Sequence, residues 1–271
     1  MDTSIDKDII AGYSPPLKWA GGKRWLVPHL RRYWEKHSNL RLVEPLCGGL
    51  AVALGLLPDK ALLNDINPHL INFYLWVKMG LKIELPMIHD KEIYYKYRKR
   101  FNNLIEAART DSKEAAEIFY YLNRTGYNGL CRFNKKGYYN VPFGRYNKIN
   151  YRYDFNHYQK LFTRWEFSCV DFEHLSLKDD DFIYADPPYD VDFTSYSAGG
   201  FSWADQVRFA NWVSMYNGPV VLSNQATTRI IELYDSLGFR IKFMKAPRRI
   251  NCNGSRIPAR EILATKGLKD C

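Results

Sequence analysis

The sequence predicts an α/β fold in which a doubly wound parallel sheet is interrupted by an inserted helical and hairpin segment. Near both ends of the chain, short apolar runs alternate with helically spaced segments, which is the pattern of parallel strands joined by helices. Between them, residues 81–165 change in composition and include a stretch rich in Gly, Asn, Arg, Lys and Tyr. We therefore expect one domain formed by residues 1–80 and 166–271, and a second formed by residues 81–165.

The first predicted elements follow from the spacing of apolar residues and from the residues that end each run. A helix is expected where apolar side chains recur every three to four residues, and a strand where a short apolar run meets a polar residue or proline. Asn67-Pro68 suits a helix start, because Asn caps backbone N–H groups and Pro is tolerated in the first turn. The predicted order is helix 23–37, strand 41–45, helix 50–57, strand 60–65 and helix 67–79.

The remaining elements are predicted in the same way. Residues 90–123 are expected to be largely helical, whereas residues 124–150 are expected to form loops and a hairpin, because Gly and Asn interrupt any regular spacing. The sheet is then expected to resume with strands near 166–170 and 181–186, a helix over 203–216, a strand at 219–222, a helix over 227–237, and strands at 239–244 and 261–265.

Composition limits the class of protein and its partners. The chain has 39 Lys and Arg against 29 Asp and Glu, and this net charge of +10 favours nucleic acid or an acidic membrane surface as a partner. The five cysteines show no CxxC pair and no Cys/His ligand spacing, so neither a disulfide framework nor a metal site is predicted. No apolar run reaches the about 18 residues of a membrane span, and no secretory signal is recognisable. We expect a protein of a reducing cytoplasm.

A glycine-containing turn follows the first predicted strand of the sheet. Residues 44–49 read Glu-Pro-Leu-Cys-Gly-Gly, and Gly48 would let the backbone approach a ligand next to Pro45. Asp65 ends the neighbouring strand, where a carboxylate can accept hydrogen bonds from ribose hydroxyls. The spacing matches neither GxGxxG nor a P-loop, which disfavours a dinucleotide fold and a nucleoside triphosphatase. The turn and Asp65 together predict a site for an adenosine-containing ligand; a structural turn beside a surface Asp is the alternative.

The segment upstream of this turn reads as a rigid loop that closes over a ligand. Residues 15–23 contain two prolines, Trp19 between lysines, and a Gly-Gly pair before a helix. Lys23 lies near the N-terminus of that helix, where its charge opposes the helix dipole. Such a residue is more plausibly kept for a contact with a carboxylate or a phosphate. A loop that merely packs a Trp is the alternative.

The tetrapeptide Asp186-Pro187-Pro188-Tyr189 follows a short buried strand and is the strongest candidate for a catalytic site. If Asp186 and the Pro187 carbonyl accept N–H bonds from an exocyclic amine, its nitrogen can expose a lone pair for attack on a methyl group. This mechanism needs only positioning and electrostatics. Tyr189 would stack on a base that has left its duplex. Both adenine and cytosine N4 offer such an amine, and a strand-ending turn with structural prolines is the alternative.

Two further features bear on the chemistry. Cys47 is interpreted as a small packing residue rather than as a nucleophile, because it lies inside the glycine turn without a preceding proline. The insertion alternates hydrogen-bonding side chains, aromatic residues and glycines over residues 123–146, which suits base reading in a groove. A solvated basic loop is the alternative there. The candidate DNA-binding residues are Lys18, Arg124, Tyr127, Asn128, Leu130, Arg132, Pro142 and Arg145, with Lys135, Lys136 and Lys148 suited to phosphates.

Taken together, these motifs resemble the Dam family of DNA adenine-N6 methyltransferases, the α-group enzymes that act on GATC. The resemblance spans residues 15–265 in the family's order and implies a Rossmann-like methyltransferase sheet. The dipeptide Ser223-Asn224 also fits. The matching motifs are Lys18-Trp19-Ala20-Gly21-Gly22-Lys23, Glu44-Pro45-Leu46-Cys47-Gly48-Gly49, Asn64-Asp65-Ile66-Asn67, Tyr127-Asn128-Gly129-Leu130-Cys131-Arg132, Asn140-Val141-Pro142-Phe143-Gly144-Arg145-Tyr146 and Asp186-Pro187-Pro188-Tyr189.

The resemblance implies a role for each matched residue. S-adenosylmethionine would contact Trp19, Lys23, Asp65 and Asp186, and the turn containing Pro45 and Gly48 would wrap it. In double-stranded DNA, Lys18 would read the first guanine and Arg132 the outer guanine at the other end of the site. The remaining roles are contact with the thymine methyl by Leu130 and Pro142, wedging into the base stack by Tyr127, and assistance to base flipping by Asn128.

The family pattern is not matched everywhere, and alternatives remain open. The usual Phe-x-Gly-x-Gly turn is replaced by Leu46-Cys47-Gly48-Gly49-Leu50, whereas residues 248–256 keep the arginines and the Asn-Gly pair common there. A non-catalytic DNA-binding protein on the same fold is the main alternative, and RNA or a protein glutamine are alternative acceptors. The resemblance fits a solitary, a phage-borne or a restriction-paired bacterial enzyme, acting near the nucleoid as a monomer or weak dimer without a metal.

Overall fold

A computed structural model describes residues 13–189, 200–246 and 259–268. These residues form a seven-stranded sheet with the order β3-β2-β1-β4-β5-β7-β6. The first five strands in this order are parallel, and β7 runs antiparallel between β5 and β6. The strands are β1 (Arg41–Glu44), β2 (Ala61–Asn64), β3 (Trp165–Ser168), β4 (Asp181–Ala185), β5 (Val220–Gln225), β6 (Arg240–Ala246) and β7 (Ala259–Lys266).

Helices cover both faces of the sheet, as a doubly wound fold requires. Alternate residues of a strand point to opposite faces. Accordingly, Leu42 and Phe182 belong to one buried apolar cluster, whereas Val43 and Ile183 belong to another. The helices are α1 (Val27–Trp34), α2 (Ala53–Leu56), α3 (Pro68–Lys78), α4 (Lys91–Glu106), α5 (Lys113–Thr125), α6 (Asn156–Phe162), α7 (Trp203–Ser214) and α8 (Thr228–Ser236).

The insertion packs on the sheet domain through α3. The rings of Phe73 in α3 and Tyr120 in α5 are stacked with centroids 5.6 Å apart. The amide of Asn72 also donates to the carbonyl of Ser112, just before α5. One apolar cluster therefore runs continuously from β1 and β2 through α3 into α4 and α5.

Most predicted elements are confirmed, including the helix start at Asn67, whose side chain accepts from His69 and Leu70 N–H. The helix predicted over 50–57 is wrong in length: α2 has only four residues. Leu50 (φ +60°) and Leu57 (φ +52°) lie in the left-handed region, which cannot continue a helix.

The hairpin predicted in residues 124–150 is present only as a short antiparallel turn without regular strands, in which Asn134 N–H donates to the Tyr138 carbonyl at 2.9 Å and Asn140 N–H to the Arg132 carbonyl at 3.2 Å. Only single bridges form there, between Gly126 and Phe143 and between Phe133 and Tyr139. The motif predicted at residues 248–256 lies outside the described residues. None of the described helices is long and apolar enough to cross a membrane.

Candidate active site and nucleic-acid interface

The carboxyl ends of β1, β2 and β4 meet at one edge of the sheet and surround a cavity of about 350 Å³. Parallel strands bring their final residues together in this way, which is why ligands of such sheets bind there. The cavity wall includes Trp19, Lys23, Glu44, Leu46, Cys47, Gly48, Gly49, Asp65, Ile66, Asp171, Phe172, Asp186, Pro187, Pro188, Tyr189 and Arg208.

The glycine turn after β1 is shaped by the indole of Trp19. A Cβ on Gly48 would lie 2.8 Å from Trp19 Nε1, and one on Gly49 would lie 2.6 Å from Trp19 Cβ. Gly48 also has a positive φ of +46°. Side chains at these two positions would therefore displace the Trp from the turn. Cys47 is buried there and burial raises the pKa of its thiol well above its usual range, which suits a packing residue.

Asp65 joins the turn to the start of α3. Its Oδ2 accepts from the backbone N–H of Gly48 at 3.0 Å and its Oδ1 accepts from that of Asn67 at 3.0 Å. Burial raises the pKa of Asp65 to about 6, although both N–H groups oppose the shift. Each carboxylate oxygen keeps a lone pair that can accept a further hydrogen bond.

Glu44 places a second carboxyl group in the cavity wall. It is buried, and its Oε1 has no hydrogen-bond partner among the described residues. Burial is the main reason that its pKa is raised to about 8, with a smaller contribution from the charge of Asp186. A buried polar atom without a partner costs stability, so this acceptor is expected to be kept for a ligand.

Asp186 is fixed through both of its carboxylate oxygens. Lys23 Nζ lies 2.8 Å from Oδ2, and the Ser223 hydroxyl donates to Oδ1 at 2.8 Å. Burial raises the pKa of Asp186, and the contacts with Lys23 and Ser223 oppose this shift. Lys23 itself is buried and donates to the carbonyl of Gly21 at 2.9 Å. Lys23 thus contacts a carboxylate of the protein itself. Its contact with a ligand stays a prediction.

The rest of the tetrapeptide forms the adjoining wall. Lys23 Nζ lies 4.6 Å from the centroid of the Tyr189 ring, a cation–π contact. The side-chain amide of Gln206 donates to the Pro188 carbonyl at 2.5 Å. Contacts within the protein therefore hold the tetrapeptide at Asp186, at the Pro188 carbonyl and at Tyr189.

The segment that begins at Lys18 leads from this cavity to the insertion. Asn123 in α5 accepts from the Lys18 backbone N–H at 2.9 Å and donates to the Lys18 carbonyl at 2.8 Å. The Lys18 ammonium donates to the Arg124 carbonyl at 3.0 Å and lies 3.7 Å from the Tyr146 ring centroid. Burial, followed by the charge of Arg124, lowers the pKa of Lys18 to about 8.

The turn after α5 carries exposed candidate DNA contacts. Tyr127 is 50% exposed and Asn128 adopts a left-handed backbone (φ +52°), which Asn tolerates better than most residues. The Tyr127 N–H donates to the carbonyl of the exposed Pro142 at 2.9 Å, so these two residues are neighbours. The Leu130 carbonyl accepts from the Tyr139 hydroxyl, which holds the half-buried Leu130 beside the same turn.

The candidate arginines lie at separate points of the insertion. The Arg132 guanidinium donates to Asn140 Oδ1 at 2.8 Å, which fixes the direction of its partly exposed head. Arg124 donates through Nε to the carbonyl of Asn150. Arg145 is exposed. Of these three arginines, Arg124 contacts Lys18 through its carbonyl. The structure therefore groups Lys18 with residues 124–130, the 124–130 turn, and places Arg132 on the neighbouring loop.

One candidate lies behind the cavity rather than in its wall. Pro45 is buried, and its carbonyl accepts from the Asn64 amide at 2.9 Å. Sequence reasoning did not assign roles to Glu44, Asp171 and Arg208, which line the cavity. Asp171 follows β3, so the rule that ligands meet strand carboxyl ends would have found it. No comparable signal marks Arg208, which α7 supplies.

A mostly parallel α/β sheet with a cavity at its carboxyl edge, next to an Asp-Pro-Pro-Tyr wall, belongs to the Rossmann-like fold class. The sequence model of the D12 class N6 adenine-specific DNA methyltransferases matches residues 19–250. The chain belongs to this family, and it is an adenine-specific DNA methyltransferase that uses S-adenosylmethionine as methyl donor. The protein is therefore an enzyme rather than a non-catalytic DNA-binding protein on the same fold.

Two sequence relatives support the family over more than nine tenths of the chain. The DNA adenine methylase of Vibrio cholerae is 35% identical over 269 residues, which cover 92% of this chain and 94% of that protein. The Retron Ec67 DNA adenine methylase of Escherichia coli is 34% identical over 267 residues, with 93% and 91% covered. A solved putative RNA methyltransferase from Pyrococcus horikoshii has a TM-score of 0.45 at 9% identity, covering 99% of this chain and 100% of that chain.

Proposed function

We propose that this enzyme methylates adenine within GATC in double-stranded DNA, and that the target base leaves the duplex to enter the Asp186–Tyr189 wall. The observation that carries the proposal is the junction at Lys18. Its ammonium lies against the 124–130 turn while the next residue, Trp19, lies on the glycine turn of the cavity. The proposed base-reading surface and the proposed donor site would therefore meet at two consecutive residues.

The cavity offers polar groups and apolar walls that suit S-adenosylmethionine. The unpartnered Glu44 Oε1 and the free lone pairs of Asp65 and Asp186 match the donor's ribose hydroxyls and ammonium group. Trp19 and Ile66 supply apolar walls. When bound, the donor supplies an electrophilic methyl group on a sulfonium sulfur, which leaves as a neutral thioether and so needs no metal ion.

For the acceptor, we propose that Asp186 Oδ and the Pro187 carbonyl accept the two N–H bonds of the adenine amine. Both acceptors favour a pyramidal nitrogen, whose lone pair can then form the bond to the methyl carbon as the carbon–sulfur bond breaks. The methylated nitrogen then releases one of its two protons to the Asp186 carboxylate, which passes it to solvent. Tyr189 would stack on the extruded base, as enzymes that modify a base in a duplex require. The fixed positions of both Asp186 oxygens support this assignment.

For recognition, we propose that residues 81–165 form the DNA-reading unit. Lys18 and Arg132 would each read one outer guanine, Tyr127 would wedge into the stack beside Asn128, and Leu130 and Pro142 would contact the thymine methyl. Arg124 and Arg145 would add backbone contacts. The exposure of Tyr127 and Pro142 on adjacent loops supports a common surface. We propose a monomer or weak dimer that acts on the nucleoid of a bacterial cytoplasm.

The test is direct. Plasmid DNA is incubated with the purified protein and S-adenosylmethionine, and then digested with a nuclease that cuts only unmethylated GATC. We expect full protection, and sequencing of modified adenines should place them within GATC. Methylated adenines that are spread over other sequences would refute the GATC assignment, and methylation confined to single-stranded DNA would refute base flipping from a duplex.

A further inference from the structure

Two hydrogen-bonded chains run from β5 to the Asp186–Tyr189 wall. The parallel register pairs Leu222 with Ala185, so that Ser223 lies beside Asp186. Successive strand residues point to opposite faces of the sheet. Ser223 therefore reaches the wall from one face and Asn224 from the other, and both side chains are fully buried.

The first chain ends at the carboxylate. The Ser223 hydroxyl has one proton, which it donates to Asp186 Oδ1 at 2.8 Å. The Tyr184 hydroxyl, 2.8 Å from Ser223 Oγ, must therefore be the donor in the second bond. Donation from Tyr184 to Ser223 polarises the Ser223 hydroxyl and strengthens its bond to Asp186.

The second chain ends at the backbone of the wall. The Gln206 amide nitrogen donates to the Pro188 carbonyl at 2.5 Å, and this fixes the orientation of the Gln206 side chain. Its oxygen then accepts from Asn224 Nδ2 at 3.2 Å. Asn224 Nδ2 also donates to the Tyr234 hydroxyl at 3.1 Å, so the chain is anchored in α8.

We propose that Ser223 and Asn224 are positioning residues for methyl transfer. They hold the Asp186–Tyr189 wall from opposite faces of the sheet, one at the Asp186 carboxylate and the other at the Pro188 carbonyl. Ser223 acts on Asp186 directly, and Asn224 acts on Pro188 through Gln206. This inference rests on the proposed role of Asp186 as the acceptor of the adenine amine. It extends that role to residues that touch neither substrate nor donor.

Loss of the Ser223 hydroxyl would change both the orientation and the protonation of the Asp186 carboxylate. Without Ser223, its carboxylate would be held by Lys23 alone and could turn away from the amine. Loss of the same bond would also favour the protonated carboxyl, which is a weaker acceptor and no longer carries the negative charge that stabilises the amine as it is methylated. The ionisable groups that face Asp186 are Lys23, Glu44, Tyr184, Tyr189 and Tyr234.

The experiment measures kcat, the Kd values for DNA and donor, and the pH dependence of kcat for Ser223→Ala. We expect kcat to fall about 10- to 100-fold, as for a small misplacement of a reacting group, with little change in either Kd. The acid limb of the pH profile should move to higher pH, because Asp186 is then protonated more easily. Ser223→Thr, which keeps the hydroxyl, should restore the pH profile.

Matched variants separate positioning from folding. Tyr184→Phe should lower kcat less than Ser223→Ala, in the same direction. Tyr121→Phe also removes one buried hydroxyl, which donates to the Ile88 carbonyl at 2.8 Å, and should lower Tm without changing kcat. For the second chain, Gln206→Met should lower kcat while DNA affinity is kept.

The variants distinguish a failure of this inference from a failure of the proposed function. If Asp186→Ala stays active, the role of Asp186 is wrong and this inference falls with it. If Asp186→Ala is inactive while Ser223→Ala and Gln206→Met keep wild-type kcat and pH profiles, only the positioning role is overturned. A loss of kcat, DNA affinity and Tm together in Ser223→Ala, with no recovery in Ser223→Thr, would also overturn the positioning role. Ser223 would then have a structural role alone.

Discussion

The cavity and the DNA-reading surface differ in how far their side chains are fixed before a ligand arrives. In the cavity, Lys23 is only 4% exposed and both oxygens of Asp186 are hydrogen-bonded. On the reading surface, Tyr127 is 50% exposed and Arg145 is exposed as well. We therefore expect the chemistry to depend on groups that are already in place, and the proposed base reading to depend on side chains that the duplex would order.

Lys18 is the exception that joins the two regions. Its backbone N–H and carbonyl are both hydrogen-bonded to Asn123, and its ammonium donates to the Arg124 carbonyl of the 124–130 turn. Because Trp19 follows immediately, a movement of Lys18 that accompanies base reading would reach the glycine turn. Pre-organisation of a site lowers the cost of assembling it during the reaction.

The largest effect is expected for Asp186→Ala in the fixed region. Removal of the proposed amine acceptor should lower kcat by about 10³-fold, the scale of losing a pre-organised electrostatic contact. DNA affinity should change little, because the reading surface is untouched. Methyl incorporation and fluorescence anisotropy measure the two quantities, and Asp59→Ala, an exposed acid paired with Arg164, is the matched control. A fully active Asp186→Ala would contradict the mechanism.

Arg132→Ala tests the proposed DNA-reading surface, whose side chains are less fixed than those of the cavity. Loss of a bidentate guanine contact should reduce discrimination at one outer base pair by about 1–3 kcal/mol, while kcat on saturating substrate changes less. Competition between GATC and single-base variants measures this selectivity. Arg100→Ala, which removes a solvent-exposed partner of Glu114, should leave base preference unchanged. An unaltered preference in Arg132→Ala would remove Arg132 from the reading surface.

Gly129→Ala tests the junction itself. An added Cβ would collide with the side chain of Lys18, whose Cδ would be only 2.6 Å away. We expect at least tenfold weaker discrimination at the base pair that Lys18 reads, from a displacement of about 1 Å. Gly137→Ala is the control, because Gly137 also has a positive φ (+79°) but an added Cβ meets nothing within 4 Å. Equal effects of the two substitutions would show that backbone strain alone is responsible.

Some residues of the site could be predicted from the sequence, whereas others could not. Asp65 and Asp186 were predicted because residues at strand carboxyl ends must converge, and Lys23 because its charge is unfavourable at a helix start. Gln206 could not be predicted, since α7 brings it to Pro188 only through tertiary packing. The helix over 50–57 was overestimated because the left-handed Leu50 belongs to the turn that bounds the cavity, a constraint that apolar spacing does not reveal.

The smallest expected effect is a pH dependence of DNA binding at Lys18. The pKa of Lys18 is lowered to about 8, so its ammonium is mostly charged at pH 7 and mostly neutral at pH 9 in the free enzyme. Guanine and phosphate oxygens favour the charged form, so affinity should fall as pH rises through 8, by a few-fold. Lys18→Ala should bind more weakly at pH 7 and lose this dependence, whereas Arg132→Ala should keep it because arginine stays charged. Anisotropy titrations at pH 7, 8 and 9 decide between these outcomes, and a dependence that persists in Lys18→Ala would assign it to another group.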